Sequence, residues 1–410
     1  MFLNIPAHTP YTDPWIEPFE TRFSMLIARP QRIAYYYTNP DNSTFRYRCY
    51  NMVQTINGVS EDTSASWFCE ADGERLFRAI DAAHVLILGR VQYNTSVARL
   101  IERARRNGAR VLFDVDDLVF SSKHAELLMS SLNQNLNPDG PWDSWFSYTS
   151  RIGTTLNLCD GAIATNPFLA SQIHQDMGLP ALVVSNYLNR EQMAASDAVM
   201  AAKTKSCWAR NDRIHIGYFS GSPTHARDFA IVAPTLASLL KEDRRLVVRL
   251  AGMLDPHPAL APYADRVDRV PFTDFVNLQR HLGATEINLA PLQNNIFTHS
   301  KSELKFFEAA VAGTVTVASP TFTFRAAIED GRTGFLANEV DWGEKIGFVL
   351  SALEDGSYQE IALAARKDVV ERYGWSRQWP AIEQAAFGPL RTAAVDPKDA
   401  AQTRTLDTVN

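Results

Sequence analysis

Cysteines are few in this chain and are not arranged for cross-linking or metal binding. The 410 residues contain four, Cys49, Cys69, Cys159 and Cys207, and no two of them have the spacing of metal ligands. Disulfides persist mainly in oxidising compartments, so a reducing, cytoplasmic location fits the chain best. The sequence therefore predicts neither a disulfide framework nor a zinc site.

Long apolar runs and an excess of positive charge are also missing. No run approaches the roughly 20 apolar residues that span a bilayer. The first fifteen residues have neither a basic start nor a continuous apolar core. We therefore expect no transmembrane segment and no signal peptide. The formal net charge of −6 argues against nucleic acid as a partner, because a nucleic-acid-binding protein needs a basic surface.

The chain has the length and the alternating pattern of a two-domain α/β protein. Short apolar strands alternate with amphipathic helices in two separate runs, which predicts two Rossmann-like, doubly wound parallel sheets. The strands expected in the first run are 31–37, 84–90, 110–113, 161–164 and 181–185. Those expected in the second run are 214–219, 246–251, 267–270, 286–291, 314–318 and 334–337. The predicted divisions are a first domain at 1–190 with an extension at 1–30, a linker at 191–210, a second domain at 211–374, a final helix at 375–390 and a disordered tail at 391–410.

One stretch, THSKSELKFFEAAVAGTVTVA from Thr298 to Ala318, predicts a loop, a short helix, a glycine stop and a buried strand. Ser300 or Ser302 can cap the start of the helix, and Ser300 with Glu303 has the spacing of a capping box. Gly313 follows the last helical residue, where a left-handed C-terminal cap is expected.

One face of this helix has the residues Lys301, Lys305 and Glu308. Two lysines in the first turn oppose the helix dipole, and a bound phosphate would relieve that misfit because backbone N–H groups point at it. Glu308 would suit a ribose diol, since one carboxylate accepts from two adjacent hydroxyls. The alternative is a solvated Lys–Glu face on an ordinary amphipathic helix.

The segment from Ser302 to Glu308, followed by an alanine-rich run, a glycine and the strand VTVAS, resembles the donor-site signature of GT-B glycosyltransferases. It is most similar to the retaining family 4, the glycosyl transferases group 1. The resemblance implies a nucleotide-diphosphate sugar as donor, no further cofactor and no bound metal. It implies that Ser302, Leu304 and Lys305 contact the diphosphate and that Glu308 binds the ribose. Many members have another glutamate eight residues earlier to hold the sugar ring, and Ser300 stands at that position here.

The turn SGSPTH, at the end of the first strand of the second run, supplies further candidate donor contacts. It resembles the glycine-containing turn that opens the donor domain in GT-B proteins. Gly221 permits a close approach of the backbone, and the hydroxyls of Ser222 and Thr224 suit phosphate oxygens. The family usually has Arg and Lys after this turn. Here His225 and Arg227 are the nearest cations, and Lys301 is expected to compensate. The alternative for His225 is a surface histidine.

Strand ends in the first domain supply candidates for the acceptor side of the site. Ligands of α/β sheets bind outside the carboxyl ends of the strands, where the sequence places Arg46, Arg48, Arg90 and Asn186. Arg46 and Arg48 are two residues apart and cannot share one helical face, so at most one is expected to point directly into the cleft. The alternative for each, favoured for Arg48, is a surface arginine.

An acidic tip, Asp114-Val115-Asp116-Asp117, follows the strand at 110–113. Asp-x-Asp is the metal–diphosphate motif of the other main glycosyltransferase fold. In a two-domain GT-B enzyme this tip would instead face the cleft from the acceptor side. Asp116 or Asp117 is then expected to bind an acceptor hydroxyl, to pair with a cleft arginine or to act as a base, and the alternative is a helix N-cap.

The resemblance as a whole implies a metal-independent hexosyl- or deoxyhexosyl-transferase with retention, whose final helix at 375–390 returns to the first domain. The catalytic candidates are Lys305, Asp116, Asp117 and His225. The expected acceptor is a hydroxyl of a glycan or of a lipid-linked molecule, in surface polysaccharide or glycoconjugate assembly, and peripheral contact with the inner face of the membrane is compatible with it. Two alternatives remain open: a nucleotide-sugar 2-epimerase of the same fold, and a non-catalytic GT-B binding module.

Overall fold

The fold is built from two parallel sheets of six strands each, in a computed structural model that describes residues 1–41 and 43–390. The strand order is β2-β1-β3-β4-β5-β6 in the first sheet and β12-β11-β10-β7-β8-β9 in the second. The predicted fold class, a doubly wound α/β protein with two sheets, is confirmed. The prediction of a disordered tail at 391–410 lies outside the described residues.

The first sheet is covered by helices on both faces. Its central strands are almost entirely buried and mostly apolar, as a parallel sheet requires. Its strands are β1 (Gln31–Tyr36), β2 (Thr63–Phe68), β3 (Val85–Gly89), β4 (Arg110–Val115), β5 (Gly161–Ala164) and β6 (Ala181–Val183). Its helices are α1 (Phe19–Leu26), α2 (Asn51–Val59), α3 (Leu76–Ala82), α4 (Thr95–Arg106), α5 (Ala125–Ser131), α6 (Trp142–Asn157) and α7 (Pro167–Met177).

The second sheet has the same architecture. Its strands are β7 (Ile214–Ser220), β8 (Leu246–Gly252), β9 (Val267–Val270), β10 (Ile287–Ala290), β11 (Val315–Ala318) and β12 (Phe335–Leu336). A helix α8 (Arg190–Lys205) precedes this sheet. The remaining helices are α9 (Ala226–Ala230), α10 (Ala233–Glu242), α11 (Phe275–Ala284), α12 (Ile296–His299), α13 (Leu304–Val311), α14 (Phe322–Ala327), α15 (Trp342–Asp355), α16 (Tyr358–Tyr373) and α17 (Trp379–Phe387).

Each sheet has one place where the order of strands reverses. In the first sheet this place lies between β1 and β3, and in the second it lies between β7 and β10. In open α/β sheets, ligands bind outside the carboxyl ends of the strands at such a place. The space between the carboxyl ends of the two sheets is called the cleft below, and the predicted site residues belong to its two walls.

One strand of the first sheet was not predicted at its position. β2 is the edge strand beside β1, and all six of its residues are buried. Its sequence, TSASWF, is rich in small hydroxyl residues that usually favour turns. Two of these hydroxyls are bonded: Ser64 Oγ donates to the carbonyl of Leu26 at 2.6 Å, and Thr63 Oγ1 donates to the side chain of Gln31 at 3.1 Å.

The segment predicted as a linker is a 16-residue helix. α8 begins with a capping box formed by Asn189 and Gln192 and packs against α11 of the second sheet. Ala, Ser, Lys and Met give it a weak apolar stripe, so its periodicity did not reveal it.

Both ends of the described chain connect the two halves. The amine of Met1 lies 2.7 Å from Glu286 of the second half, whereas the buried ring of Trp15 packs on Phe45 and Tyr50 of the first half and on Phe275 of the second. At the other end, α17 lies against the first half, where Arg110 donates to the carbonyls of Ala386 and Gly388. Among the described residues, no helix is long and apolar enough to cross a membrane.

Candidate active site

The helix α13 starts differently from the prediction. Its N-cap is Glu303, with no hydrogen bond from a capping side chain. Ser300 instead ends the short helix α12, and its hydroxyl donates to the carbonyl of Ile296 at 2.8 Å. The predicted capping box is therefore wrong, because Ser300 is used by the preceding turn. Ser302 and Leu304 lie where the sequence places them, directly before α13 and at its first residue.

The end of α13 is the one predicted. Gly313 has a φ of +70°, which confirms the left-handed stop. A buried lysine of α8, Lys203, donates from Nζ to the carbonyls of Ala312 and Gly313 at 2.9 and 2.8 Å. Burial lowers the pKa of Lys203 well below its ordinary value, but the amine donates whether or not it is charged, so these two hydrogen bonds fix α8 to the end of α13.

Lys305 extends from the first turn of α13 to the end of β7. Its Nζ donates to the carbonyl of Phe219 at 2.9 Å and lies 4.1 Å from the centre of the Tyr218 ring. Burial and, to a smaller extent, nearby Lys301 lower the pKa of Lys305 to about 8 against the opposing effect of Asp228. Lys305 is thus a partly desolvated cation placed beside the SGSPTH turn.

The SGSPTH turn directs hydroxyl groups and a histidine to the same place. Ser222 and Thr224 have their hydroxyls 2.8 Å apart, and Gly221 is exposed with no heavy atom within 4 Å of where a Cβ would stand. His225 Nδ1 lies 3.0 Å from Asp228, which also accepts from Gln293. Burial lowers the pKa of His225 although Asp228 opposes this, and the pair leaves Nε2 as the proton acceptor of a neutral ring.

A charged row crosses the cleft from one wall to the other. Lys301 Nζ lies 3.2 Å from Asp117 of the first domain, and Arg90 contacts both Asp117 and Asp116, at 3.4 and 3.2 Å. Thr44 donates to the second oxygen of Asp116 at 2.8 Å. Of the predicted roles for the acidic tip, pairing with a cleft arginine is the one present. The N-cap alternative is wrong, because the next helical turn is capped at Ser121.

The electrostatics of this row keep Asp117 ionised. Burial alone would raise the pKa of Asp117, but the ammonium of Lys301 and the guanidinium of Arg90 outweigh burial and hold the pKa below its ordinary value. Arg90 itself has a left-handed backbone, with a φ of +49°. Non-glycine residues rarely adopt that conformation, and here it directs the side chain into the cleft.

Glu308 is not on a solvated face. Only 5% of it is exposed, and its Oε1 accepts three hydrogen bonds from outside its own helix. The donors are the Tyr47 hydroxyl at 2.5 Å, Gln192 at 3.0 Å and Arg46 at 3.4 Å. The alternative of a solvated Lys–Glu face is therefore wrong. Glu308 joins the second domain to the first at the deep end of the cleft.

Two of the predicted acceptor-side residues lie inside the first domain instead. Arg48 is fully buried and makes a bidentate ion pair with Asp114: its Nε and Nη2 donate to the two carboxylate oxygens at 2.7 and 2.9 Å. It also donates to the side chain of buried Asn186 at 3.0 Å. The surface alternative for Arg48 is wrong, because the segment 46–50 is a π-helical turn in which all five side chains are buried.

Sequence reasoning missed four residues that complete the site. They are Tyr47 and Gln192 at Glu308, Asp228 at His225, and Tyr148, whose hydroxyl accepts from Arg90 at 2.9 Å. The spacing of three between His225 and Asp228 was an available signal, since such residues are neighbours on a helix. Gln192 and Tyr148 had no signal, because only the packing of distant helices brings them to the cleft.

The cleft therefore brings most of the predicted residues together. Lys301, Lys305 and His225 approach Asp116, Asp117 and Arg90 from the opposite wall. Within residues 1–41 and 43–390, no three side chains of His, Cys, Asp or Glu gather as a metal site. A separate cavity of about 600 Å³ between α8 and α16 contains none of the predicted site residues.

Part of the sequence matches a known protein family. Residues 214–355 match the model of the family described as Glycosyl transferases group 1, which covers the SGSPTH turn and all of α13. Among curated proteins, no sequence matches the chain. The predicted resemblance is thus confirmed over the second domain.

Solved structures extend the likeness to both domains. HepE of Anabaena, in complex with UDP and glucose, has a TM-score of 0.57 at 12% identity, over 86% of this chain and 99% of its own. Sucrose-phosphate synthase of Thermosynechococcus elongatus has a TM-score of 0.54 at 14% identity, over 87% and 98%. WaaG, a glycosyltransferase involved in lipopolysaccharide biosynthesis, has a TM-score of 0.55 at 12% identity, over 87% and 100%. The chain has the GT-B fold, and residues 214–355 match the model of the family Glycosyl transferases group 1.

Proposed function

We propose that this protein transfers a hexosyl or deoxyhexosyl group from a nucleotide-diphosphate sugar to a hydroxyl of a glycan or lipid-linked acceptor. The observation that carries the proposal is the gathering of Lys301, Lys305 and His225 around the start of α13 and the SGSPTH turn. Both elements lie in the part of the chain that matches the Glycosyl transferases group 1 model. HepE, which has a similar fold, is known in complex with UDP-glucose.

The site suits the departure of a diphosphate. The bond from the anomeric carbon to the phosphate oxygen breaks, and negative charge grows on that oxygen. Preorganised cations and hydroxyl groups stabilise such charge most effectively where water is excluded. Lys305 and Lys301 are the cations for this role, with Ser222 and Thr224 as hydroxyl donors.

Retention of the anomeric configuration is part of the proposal and rests on the family resemblance. The acceptor oxygen bonds to the anomeric carbon on the face that the phosphate leaves, and the acceptor proton goes to the leaving phosphate oxygen. A general base works best when its pKa is near the working pH. Asp117 has a lowered pKa, so we assign it to holding Lys301 and Arg90 rather than to proton transfer.

We also propose that transfer requires no divalent cation. The charge on the diphosphate is met by protein groups, and Asp116 and Asp117 already bind Arg90 and Lys301. Activity is then expected to survive EDTA. Complete loss in EDTA with rescue by Mn²⁺ would contradict this part of the proposal.

The cellular setting proposed is surface polysaccharide or glycoconjugate assembly in the cytoplasm, at or near the inner face of the membrane. The description of WaaG as an enzyme of lipopolysaccharide biosynthesis supports this setting. Sucrose-phosphate synthase has a similar fold and a different function, so the fold alone is compatible with more than one class of acceptor.

Turnover of nucleotide sugars tests the proposal. The protein is incubated with UDP-, GDP- and ADP-linked sugars, with and without a mixture of oligosaccharides, and the released nucleotide and sugar are measured. A transferase consumes one donor faster when an acceptor is present. Release of a free epimerised hexosamine without acceptor would favour the 2-epimerase, and binding of a donor without any turnover would favour the non-catalytic module.

A further inference from the structure

An exposed aromatic surface lies on the first domain at the start of α6. Phe146 is 45% exposed, and Trp142 stacks on it with ring centres 6.2 Å apart and planes 26° apart. The indole of Trp142 donates to the carbonyl of Asn137 at 3.0 Å, which ties the preceding loop to the helix. The surface formed by residues 133–148 is called the aromatic rim below. The stacking and the hydrogen bond hold its aromatic side chains in place, so the surface is preformed.

The aromatic rim continues into the cleft. Trp145 meets Tyr148 edge to face, with ring centres 5.8 Å apart. The Tyr148 hydroxyl accepts from Arg90 at 2.9 Å, and Arg90 contacts Asp116 and Asp117. A ligand on the rim would therefore extend directly to the wall that we assign to the acceptor.

The charge of the rim argues against a membrane or a nucleic acid as its ligand. Residues 125–150 contain no lysine and no arginine, whereas Asp139 and Asp143 of the rim are acidic. One arginine of the second domain, Arg227, lies beside the rim and donates to the side chains of Ser130 and Asn133, at 2.8 and 3.3 Å. Surfaces that dock on anionic lipid or on phosphate backbones need basic residues, and carboxylates would be repelled.

The polar groups of the rim suit a neutral sugar. Exposed Asn133, Asn135 and Asn137 lie in the loop beside the aromatic rings. An amide both donates and accepts, as a hydroxyl group does. A pyranose ring has a face of C–H groups that packs on an aromatic ring, and aromatic side chains contribute large contact areas at low entropic cost.

We propose that the aromatic rim is an acceptor subsite that binds a neutral oligosaccharide. This inference rests on the proposed function, because it assigns the acceptor of the same reaction. It names the chemical class of that acceptor: a chain of uncharged sugar residues, of which one lies on Trp142 and Phe146 while the reacting end reaches the cleft.

Binding to a printed array of neutral oligosaccharides tests the inference. Phe146→Ala is the test variant, and Phe348→Ala is its matched control, because Phe348 is 46% exposed and stacks on Phe335 at 6.1 Å in the second domain. We expect the wild type and Phe348→Ala to bind the same glycans, and Phe146→Ala to bind them at least about tenfold more weakly. Affinity for a nucleotide sugar should be equal in all three proteins.

Three results would overturn the inference. They are no glycan bound by the wild type, equal glycan binding by Phe146→Ala, or wild-type binding to phosphatidylglycerol–phosphatidylcholine vesicles that Phe146→Ala loses. Donor affinity is measured separately in each case. If donors bind normally, only the acceptor subsite fails, whereas a wild type that binds no donor contradicts the proposed function itself.

Discussion

The carboxylate of Glu308, which we assign to the donor ribose, is not free in this structure. Its Oε1 is already bonded to Tyr47, Arg46 and Gln192. A donor that places its ribose at Glu308 must therefore share the carboxylate with these groups or displace them. The strongest of the neutral donors is the Tyr47 hydroxyl, so it is the natural competitor of a ribose hydroxyl.

Tyr47→Phe is expected to strengthen donor binding. The variant keeps the ring that packs on Phe307 and removes the hydroxyl that competes with the ribose. A hydrogen bond to a charged group contributes roughly 1.5–3 kcal/mol, so affinity should rise about 10- to 100-fold. Calorimetric titration with the donor measures the change.

Tyr50→Phe is the control for that variant. Tyr50 lies in the same π-helical segment, but its hydroxyl donates to Glu191, away from the cleft. Its donor affinity should equal that of the wild type. Unchanged or weaker donor binding by Tyr47→Phe would show that the hydroxyl does not compete for the ribose position.

Lys305 gives donor binding a pH dependence. Its pKa of about 8 in the free protein means that the ammonium loses its proton as the pH rises through 8. A bound diphosphate favours the charged form, so it raises the pKa and binding takes up a proton. Affinity should be constant below pH 7 and should fall up to about tenfold per pH unit above 8.

Lys305→Arg should remove most of that dependence, because an arginine stays charged throughout this range. Titrations at pH 7, 8 and 9 in buffers of different ionisation enthalpy measure both the affinity and the proton uptake. An identical pH profile for the wild type and Lys305→Arg would show that Lys305 does not meet the diphosphate.

At the scale of elements, the sequence predicted regular structure well and irregular structure poorly. Eleven of the twelve strands were expected near their observed positions, because buried parallel strands are continuous apolar runs. β2 and α8 lack such a signal. The π-helical turn at 46–50 breaks the angular rule of an ordinary helix, so the burial of Arg48 was not predicted.

In the candidate site, too, the sequence predicted some residues and not others. Residues that follow a strand or begin a helix, such as Lys301, Lys305, Arg90 and His225, were identified from their position. Asp116 and Asp117 were expected to pair with a cleft arginine. The partners of Glu308 were not identified, because hydrogen bonds such as that from Tyr47 to Glu308 join residues more than 250 positions apart. Only tertiary packing determines such contacts.

Arg48→Ala should destabilise the first domain strongly. It would leave the Asp114 carboxylate, which is also almost fully buried, without its partner. Breaking a buried ion pair at one end costs about 3–5 kcal/mol. Denaturant unfolding measures the loss, and Arg103→Ala, which breaks an exposed pair with Asp81, should show a much smaller change. Equal effects of the two variants would contradict the structural role of Arg48.

For the whole molecule, the structure is a closed pair of domains. Lys301–Asp117, Glu308–Tyr47 and the bond from Asn166 to the carbonyl of Ser300 all cross the cleft. These contacts bring groups from both walls to one place. We therefore expect a donor at α13 to be bound by one wall and covered by the other.

Donor titration of the wild type and Glu308→Gln tests the central claim, that a nucleotide-diphosphate sugar binds at α13. UDP-, GDP- and ADP-linked sugars are titrated by calorimetry, and the one that binds is compared with its 2′-deoxyribose analogue. Hydrogen bonds to a charged group contribute roughly 1.5–3 kcal/mol, so Glu308→Gln should bind the donor about 10- to 100-fold more weakly. The analogue should bind the wild type weakly and lose little more on mutation. Equal donor affinity in both proteins, with the fold intact, would contradict the assignment of the donor site.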